Sequence, residues 1–185
     1  PEHFPPSAFP VWRGEKYRHD RIRVAYMSAD FREHPVAFLM AGLFERHDTS
    51  RFETTAISLG PDDGSQMSAR LKASFGRFVE AGTYDDDRIA ALVRESEIDI
   101  LVDLMGYTAG ARTGVLARRP APIQVNYLGF AGTMGAPIID YIMADRIVIP
   151  AEQTGFYAEK IVHLPDMYLC SDDKREIYER MQSRA

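Results

Sequence analysis

The sequence predicts a Rossmann-like α/β domain: a doubly wound, mainly parallel sheet. Short, near-continuously apolar runs alternate with segments of helical periodicity from residue 21 onward, the pattern of strands buried on both faces. The 185 residues suffice for one such domain with a sizeable core, plus an arm or tail. No internal repeat or low-complexity stretch interrupts the alternation.

Residues 1–20 mix proline and charge with Phe4, Phe9 and Trp12, which reads as an extended Pro-rich arm pinned by aromatic anchors. Ile22–Met27 (IRVAYM) is the first strand. Residues 36–48 carry apolar side chains at helical spacing, with Arg46 and His47 in the last turn. Phe52–Leu59 is the second strand, closed by the turn GPDDG. A helix over 65–75, a short strand Arg77–Glu80 and a helix Asp85–Glu95 follow; the acidic first turn of the last favours the helix dipole. Ile98–Met105 (IDILVDLM) is the clearest buried strand. Val115–Arg119 is a short helix stopped by Pro120 and Pro122. Strands Ile123–Leu128 and Ile139–Ala144 flank a Gly-rich turn, and Lys160–Leu164 ends the regular structure. The expected division is an arm over 1–20, a lobe over 21–165, and a linker or tail over 166–185. The start on Pro1 and the charged end read as boundaries within a longer chain.

An apolar fraction of 45% excludes wholesale disorder. A net charge of −5 repels phosphate backbones and anionic lipid, so neither nucleic acid nor membrane is an expected partner. Arg112, Arg118 and Arg119 form a local exception, suited to a phosphate, an acidic neighbour or plain solvation. The single Cys170 permits no internal disulfide and suits a reducing cytoplasm. No apolar run approaches the length of a membrane-crossing helix. The five histidines are scattered, no Cys/His spacing fits zinc, and no metal site is expected.

Ligands of such sheets bind beyond the carboxyl ends of the strands. The loop after the first strand, SADFREHPV, contains no glycine, which argues against a dinucleotide fingerprint. It holds Asp30 and His34, four residues apart, ahead of Pro35 as first helical residue. The pair is either a turn cap with a structural partner, or a base whose tautomer a carboxylate sets. GYTAGAR (106–112) offers Tyr107, Thr108, Gly110 and Arg112, either to a polar cleft or as a turn that needs glycine. GFAGTMG (129–135) permits close backbone approach or is a plain connection. Asp103 is placed to reach the cleft, whereas Asp99, near the strand start, is structural. Absence of a Gly-x-Ser-x-Gly elbow argues against a hydrolase of that type.

In order, IRVAYMSADFREHP, LGPDDGS, DILVDLMGYTAGAR and RRPAPIQVNYLGFAGTMGAPIIDYIMAD resemble the first catalytic half of the protein O-GlcNAc transferases, the group that includes the SPINDLY proteins. The resemblance spans about Arg21 to Pro165. It implies a two-lobed GT-B architecture, a UDP-sugar donor, no cofactor or metal, and inverting transfer to serine or threonine hydroxyls of proteins. It also implies a second lobe that supplies most nucleotide contacts, and a TPR region that selects the acceptor. By position, His34 matches the His-Pro histidine facing the donor sugar and Asp30 an aspartate considered for proton transfer. Tyr107, Thr108, Gly110 and Arg112 match the loop near acceptor and sugar; Leu128, Gly129 and Thr133 match the segment beside the donor. The chain departs from that pattern at Val36–Ala37, where relatives often carry threonine and small polar residues, leaving glucose or fucose open as alternatives to N-acetylglucosamine, and at Glu33, where a small or amide residue is common. A non-catalytic, flavodoxin-like binding module is the alternative from another class.

Overall fold

The structure, a computed structural model, describes residues 4–175; the outermost parts of the expected arm and tail lie outside the described residues. Seven strands form one sheet: β1 (Ile22–Ser28), β2 (Phe52–Ser58), β3 (Arg77–Glu80), β4 (Ile100–Asp103), β5 (Ile123–Asn126), β6 (Tyr141–Ala144) and β7 (Lys160–His163). Their order is β3-β2-β1-β4-β5-β6-β7, and every pairing is parallel. The chain winds outward from β1 in one direction, then returns to build from β4 in the other. The crevice at this reversal, beyond the carboxyl ends of β1 and β4, is the place where such sheets bind ligands.

Helices α1 (Pro35–Glu45), α2 (Gln66–Ser74), α3 (Asp86–Glu95) and α4 (Thr113–Ala117) occupy the connections. Pro35 stands at N1, where its missing N–H costs nothing, and the preceding His34 is extended (φ −150°, ψ 149°) as the proline ring demands. Ser65 and Asp85 cap α2 and α3, accepting from the N–H of Ser68 (3.1 Å) and Arg88 (2.8 Å). Helix α1 stops at Glu45, before the Arg46 and His47 that its periodicity includes. His47 is drawn out of line by a 2.9 Å hydrogen bond between Nε2 and the hydroxyl of buried Tyr26, a polar group that needs a partner.

Pleating divides the core. Ala25, Met27, Ile57 and Leu101 face α3, α4 and the residues Met134, Ile138 and Ile139. Val24, Tyr26, Ala56 and Val102 face α1 and α2, where Phe31, Phe44, Phe75 and Phe78 form an edge-to-face cluster. Coverage is less complete than the sequence pattern predicts. The β5–β6 and β6–β7 connections hold no α-helix, only a 3-10 turn at Ala151–Phe156. An apolar groove therefore stays open on the α1/α2 face, lined by Ile100, Ile123, Tyr141, Met143 and Val162.

The arm crosses the end of α4 without regular structure. The N–H groups of Ser7, Val11 and Trp12 donate to the carbonyls of Ala117, Arg118 and Arg119 at 2.8–2.9 Å, pairing groups that a helix end leaves orphaned. Trp12 and Tyr17 are partly buried, but Phe9 is 84% exposed, so main-chain bonds hold this segment more than aromatic anchors do.

Candidate functional site

The β1 and β4 loops meet at the crevice through small side chains and sulfur. Ser28 Oγ and the Ala29 N–H both donate to Met105 Sδ at 3.3 Å. Gly110 (φ +85°) lies so close to Ala29 that a Cβ there would sit 3.1 Å from the alanine methyl. The β2 loop closes the other side: Asp63 accepts the Glu33 N–H at 2.8 Å, and Gly60 abuts the Ala29 carbonyl.

Asp30 and His34 come together on the rim. Asp30 is 8% exposed; its Oδ2 lies 3.5 Å from His34 Nδ1, and its Oδ1 lies 3.6 Å from Arg32 Nη2. His34 also caps α1, its Nδ1 accepting the Val36 N–H at 3.3 Å. Two tautomers fit. With Nδ1 as cap acceptor, the ring proton sits on Nε2 and points outward as a donor. With the proton on Nδ1 facing Asp30, the Val36 N–H loses its cap acceptor and Nε2 becomes a free acceptor, the state a general base requires.

The β4 loop places Tyr107 and Thr108 in the open. Tyr107 is 44% exposed; its hydroxyl donates to the Met134 carbonyl at 2.7 Å, and its ring meets Phe130 edge-on at 5.8 Å. Burial of its inner side raises the phenol's pKa above its ordinary value. Thr108 Oγ1 donates to the Met105 carbonyl at 2.8 Å, closing the turn. Arg112 is turned aside: Nε donates to Asp86 at 2.6 Å and Nη2 to the Tyr84 carbonyl at 3.0 Å, bracing the loop against the start of α3. Arg118 pairs with Asp87 at 2.5 Å and Arg119 with Asp140 at 2.8 Å, so acidic neighbours absorb the whole basic cluster.

The β5 loop forms the next wall. Leu128 is buried in a left-handed conformation (φ +65°), unusual for a branched residue and confined to tightly determined positions. Gly129 packs directly on the Leu104 carbonyl, and Gly106 (φ +59°) on Phe130. Gly129 and Gly106 serve loop-to-loop contact. Thr133 is fully engaged, donating to Glu159 Oε2 at 2.7 Å and accepting the Gly135 N–H at 2.9 Å.

Asp103 does not reach the crevice. Only 2% exposed, it accepts the N–H of Gly106 (2.9 Å) and Met105 (3.3 Å), while desolvation pushes its pKa up to about 7. Asp99 accepts the Arg23 N–H at 2.9 Å, the structural role its position implied. Among the described residues no group of three His, Cys, Asp or Glu side chains could hold a metal, and no helix is long and apolar enough to cross a membrane.

The model of glycosyl transferase family 41 matches residues 3–185. The chain belongs to that family. It is 37% identical over 171 residues (92% of this chain, 17% of the relative) to the probable UDP-N-acetylglucosamine–peptide N-acetylglucosaminyltransferase SEC of Arabidopsis thaliana. It is 35% identical over 153 residues (82% of this chain, 13% of the relative) to the UDP-N-acetylglucosamine–peptide N-acetylglucosaminyltransferase of Caenorhabditis elegans. It is 33% identical over 163 residues (86% of this chain, 18% of the relative) to the probable enzyme SPINDLY of Oryza sativa subsp. japonica. A solved structure of the Thermobaculum terrenum O-GlcNAc transferase, K341M mutant, superposes with a TM-score of 0.80 at 33% identity, over 90% of this chain and 32% of that one. The chain thus spans under a fifth of the length of these curated relatives.

Two structural features of this family 41 chain carry no signal in the sequence. Met105, a core-looking methionine, is the sulfur acceptor that joins the β1 and β4 loops. Glu159, 5% exposed, meets Thr133 and Met134 from some 25 residues away. Charge beside a strand start predicts a solvated side chain, and only the fold brings its partners to it.

Proposed function

We propose that the full-length polypeptide is an inverting protein glycosyltransferase that moves N-acetylglucosamine from a UDP-sugar to serine or threonine hydroxyls, and that this chain supplies the lobe bearing the base. Membership of family 41 carries the reading, since the similar proteins bear the names of UDP-N-acetylglucosamine–peptide transferases. The Asp30–His34 pair on the crevice rim agrees with it.

In this reading the donor sugar lies over the reversal of the sheet, against the β1, β4 and β5 loops. Tyr107, Thr108 and Gly110 line one side. Leu128, Gly129 and Thr133 shape the other, and Arg112 braces the β4 loop. A serine hydroxyl attacks the anomeric carbon from the face opposite the diphosphate. As the new C–O bond forms, the C–O bond to the diphosphate breaks, and His34 Nε2 takes the hydroxyl proton. Asp30 accepts the Nδ1–H, holding the required tautomer and stabilising the imidazolium that results. No metal or cofactor is needed, UDP-sugar being a substrate. The leaving diphosphate needs donors that a second lobe would provide, so the 185-residue chain alone is expected to be silent. The setting we propose is soluble and cytoplasmic, with a TPR region presenting the acceptor.

The test is transfer by the full-length polypeptide from UDP-N-acetylglucosamine, UDP-glucose and GDP-fucose, wild type beside His34→Ala. Transfer from the first alone, with the variant slowed at least about tenfold (about 1.4 kcal/mol of barrier), is expected. Unchanged rates in His34→Ala remove the base assignment. No transfer from any donor by a folded polypeptide favours a binding module instead.

A further inference from the structure

Glu159 sits immediately before β7, and its carboxylate is buried with no cation within ion-pair distance among the described residues. An unpaired buried carboxylate is expensive and persists only where hydrogen bonds hold it. Oε1 accepts the Met134 N–H at 2.6 Å and Oε2 the Thr133 hydroxyl at 2.7 Å. Met134 in turn offers its carbonyl to the Tyr107 hydroxyl at 2.7 Å. One buried group thus ties the segment before β7 to the β5 loop, and through it to the exposed tyrosine of the β4 loop.

We infer that Glu159 is a positioning residue: it sets the β5 loop over 129–135 and, through Met134, the hydroxyl of Tyr107 at the rim of the crevice. The inference rests on the proposal that this crevice is the transfer site. The hydrogen-bond inventory explains why a carboxylate is required. Thr133 Oγ1 already accepts from the N–H groups of Gly135 (2.9 Å) and Ala158 (3.3 Å), so its two lone pairs are used and its proton must be donated. Both partners of residue 159 are therefore donors. Glutamine has one acceptor oxygen and one NH2, so in either orientation it opposes a donor with a donor. Aspartate is one methylene shorter and cannot span both partners from the same backbone position.

The experiment uses the full-length polypeptide carrying Glu159→Gln, Thr133→Ala and the two combined, with two readouts. Hydrogen exchange over residues 129–135 is expected to quicken about tenfold or more in Glu159→Gln. At the Met134 amide the exchange is expected to slow again in the double variant, where no threonine proton remains to oppose the glutamine amide and its carbonyl is left to Met134; the Gly135 amide, which loses its Thr133 acceptor, is not expected to recover. The KM for UDP-N-acetylglucosamine or the acceptor peptide is expected to rise at least about threefold in Glu159→Gln. A merely structural loss lowers the active fraction, and so kcat, but leaves KM in place. Unchanged exchange, or unchanged KM in an active enzyme, overturns the inference, as does a double variant whose Met134 amide exchanges as fast as in Glu159→Gln. If wild type transfers no sugar, the proposed function falls, and exchange alone then decides whether Glu159 sets the loop.

Discussion

Replacing Gly129 by alanine tests whether the glycines of the β5 loop serve packing or ligand approach. The added Cβ would overlap the Leu104 carbonyl oxygen and lie 2.8 Å from its carbon and 3.3 Å from Met105 Cα. All three are backbone atoms at the exit of β4, and no rotamer change relieves them. The loops must part, straining the Gly129 N–H to Tyr127 carbonyl bond of 2.9 Å. Overpacking of this kind costs about 1–3 kcal/mol. Rigid backbone on both sides puts Gly129→Ala near the top of that range, less roughly 0.4–1 kcal/mol from the stiffer unfolded chain. A net loss of about 2 kcal/mol corresponds to a melting point lowered by roughly 4–8 °C in a domain of this size. Gly155→Ala, with nothing within 4 Å and no left-handed φ, is the neutral control, and Gly135→Ala (φ +60°, also in open space) isolates left-handed strain of about 1 kcal/mol. Thermal unfolding followed by circular dichroism ranks the three. If Gly129→Ala melts with Gly155→Ala, the β4–β5 contact is slack and the packing argument is wrong.

Two further outcomes follow from the same geometry. Asp103 holds its proton to about pH 7 when folded but releases it near its ordinary 3.8 when unfolded, so the folded state binds more protons between those values. Stability should fall as pH rises from about 4 to 7, by at most on the order of 4 kcal/mol, and then level off. Urea midpoints of wild type and Asp103→Asn against pH check this; parallel curves would refute it. Arg112→Ala should cost about 1–2 kcal/mol, since it removes the hydrogen-bond donor of Asp86 and of the Tyr84 carbonyl and leaves Asp86 only the longer ion pair to Arg118 at 3.7 Å. Donor KM should barely move. A tenfold rise in KM at an unchanged melting point would instead make Arg112 a ligand contact.

What could be read before folding was whatever depends on neighbours in sequence. The pattern marked six of the seven strands and a last regular element over Lys160–Leu164 that proved to be the seventh, and Pro35 marked the start of α1, because its effect on the backbone is local. Asp30 and His34 were legible as a pair because one turn separates them. Boundaries were less legible: α1 ends at Glu45, and His47 beyond it turns to the hydroxyl of Tyr26, a partner that only the fold supplies.

The resemblance, too, lay in the sequence: the ordered loop motifs identified the family, and with it the chemistry now proposed. The tertiary structure decided which partners those residues take and which of them face the crevice. Arg112 went to Asp86, Thr133 to Glu159 and Asp103 to its own turn, leaving Asp30, His34 and Tyr107 at the rim of the crevice. The reason is that a polar group's availability depends on who else can satisfy it. Such partners, 26 residues away for both Arg112 and Thr133, are brought within reach by the parallel sheet and not by local spacing.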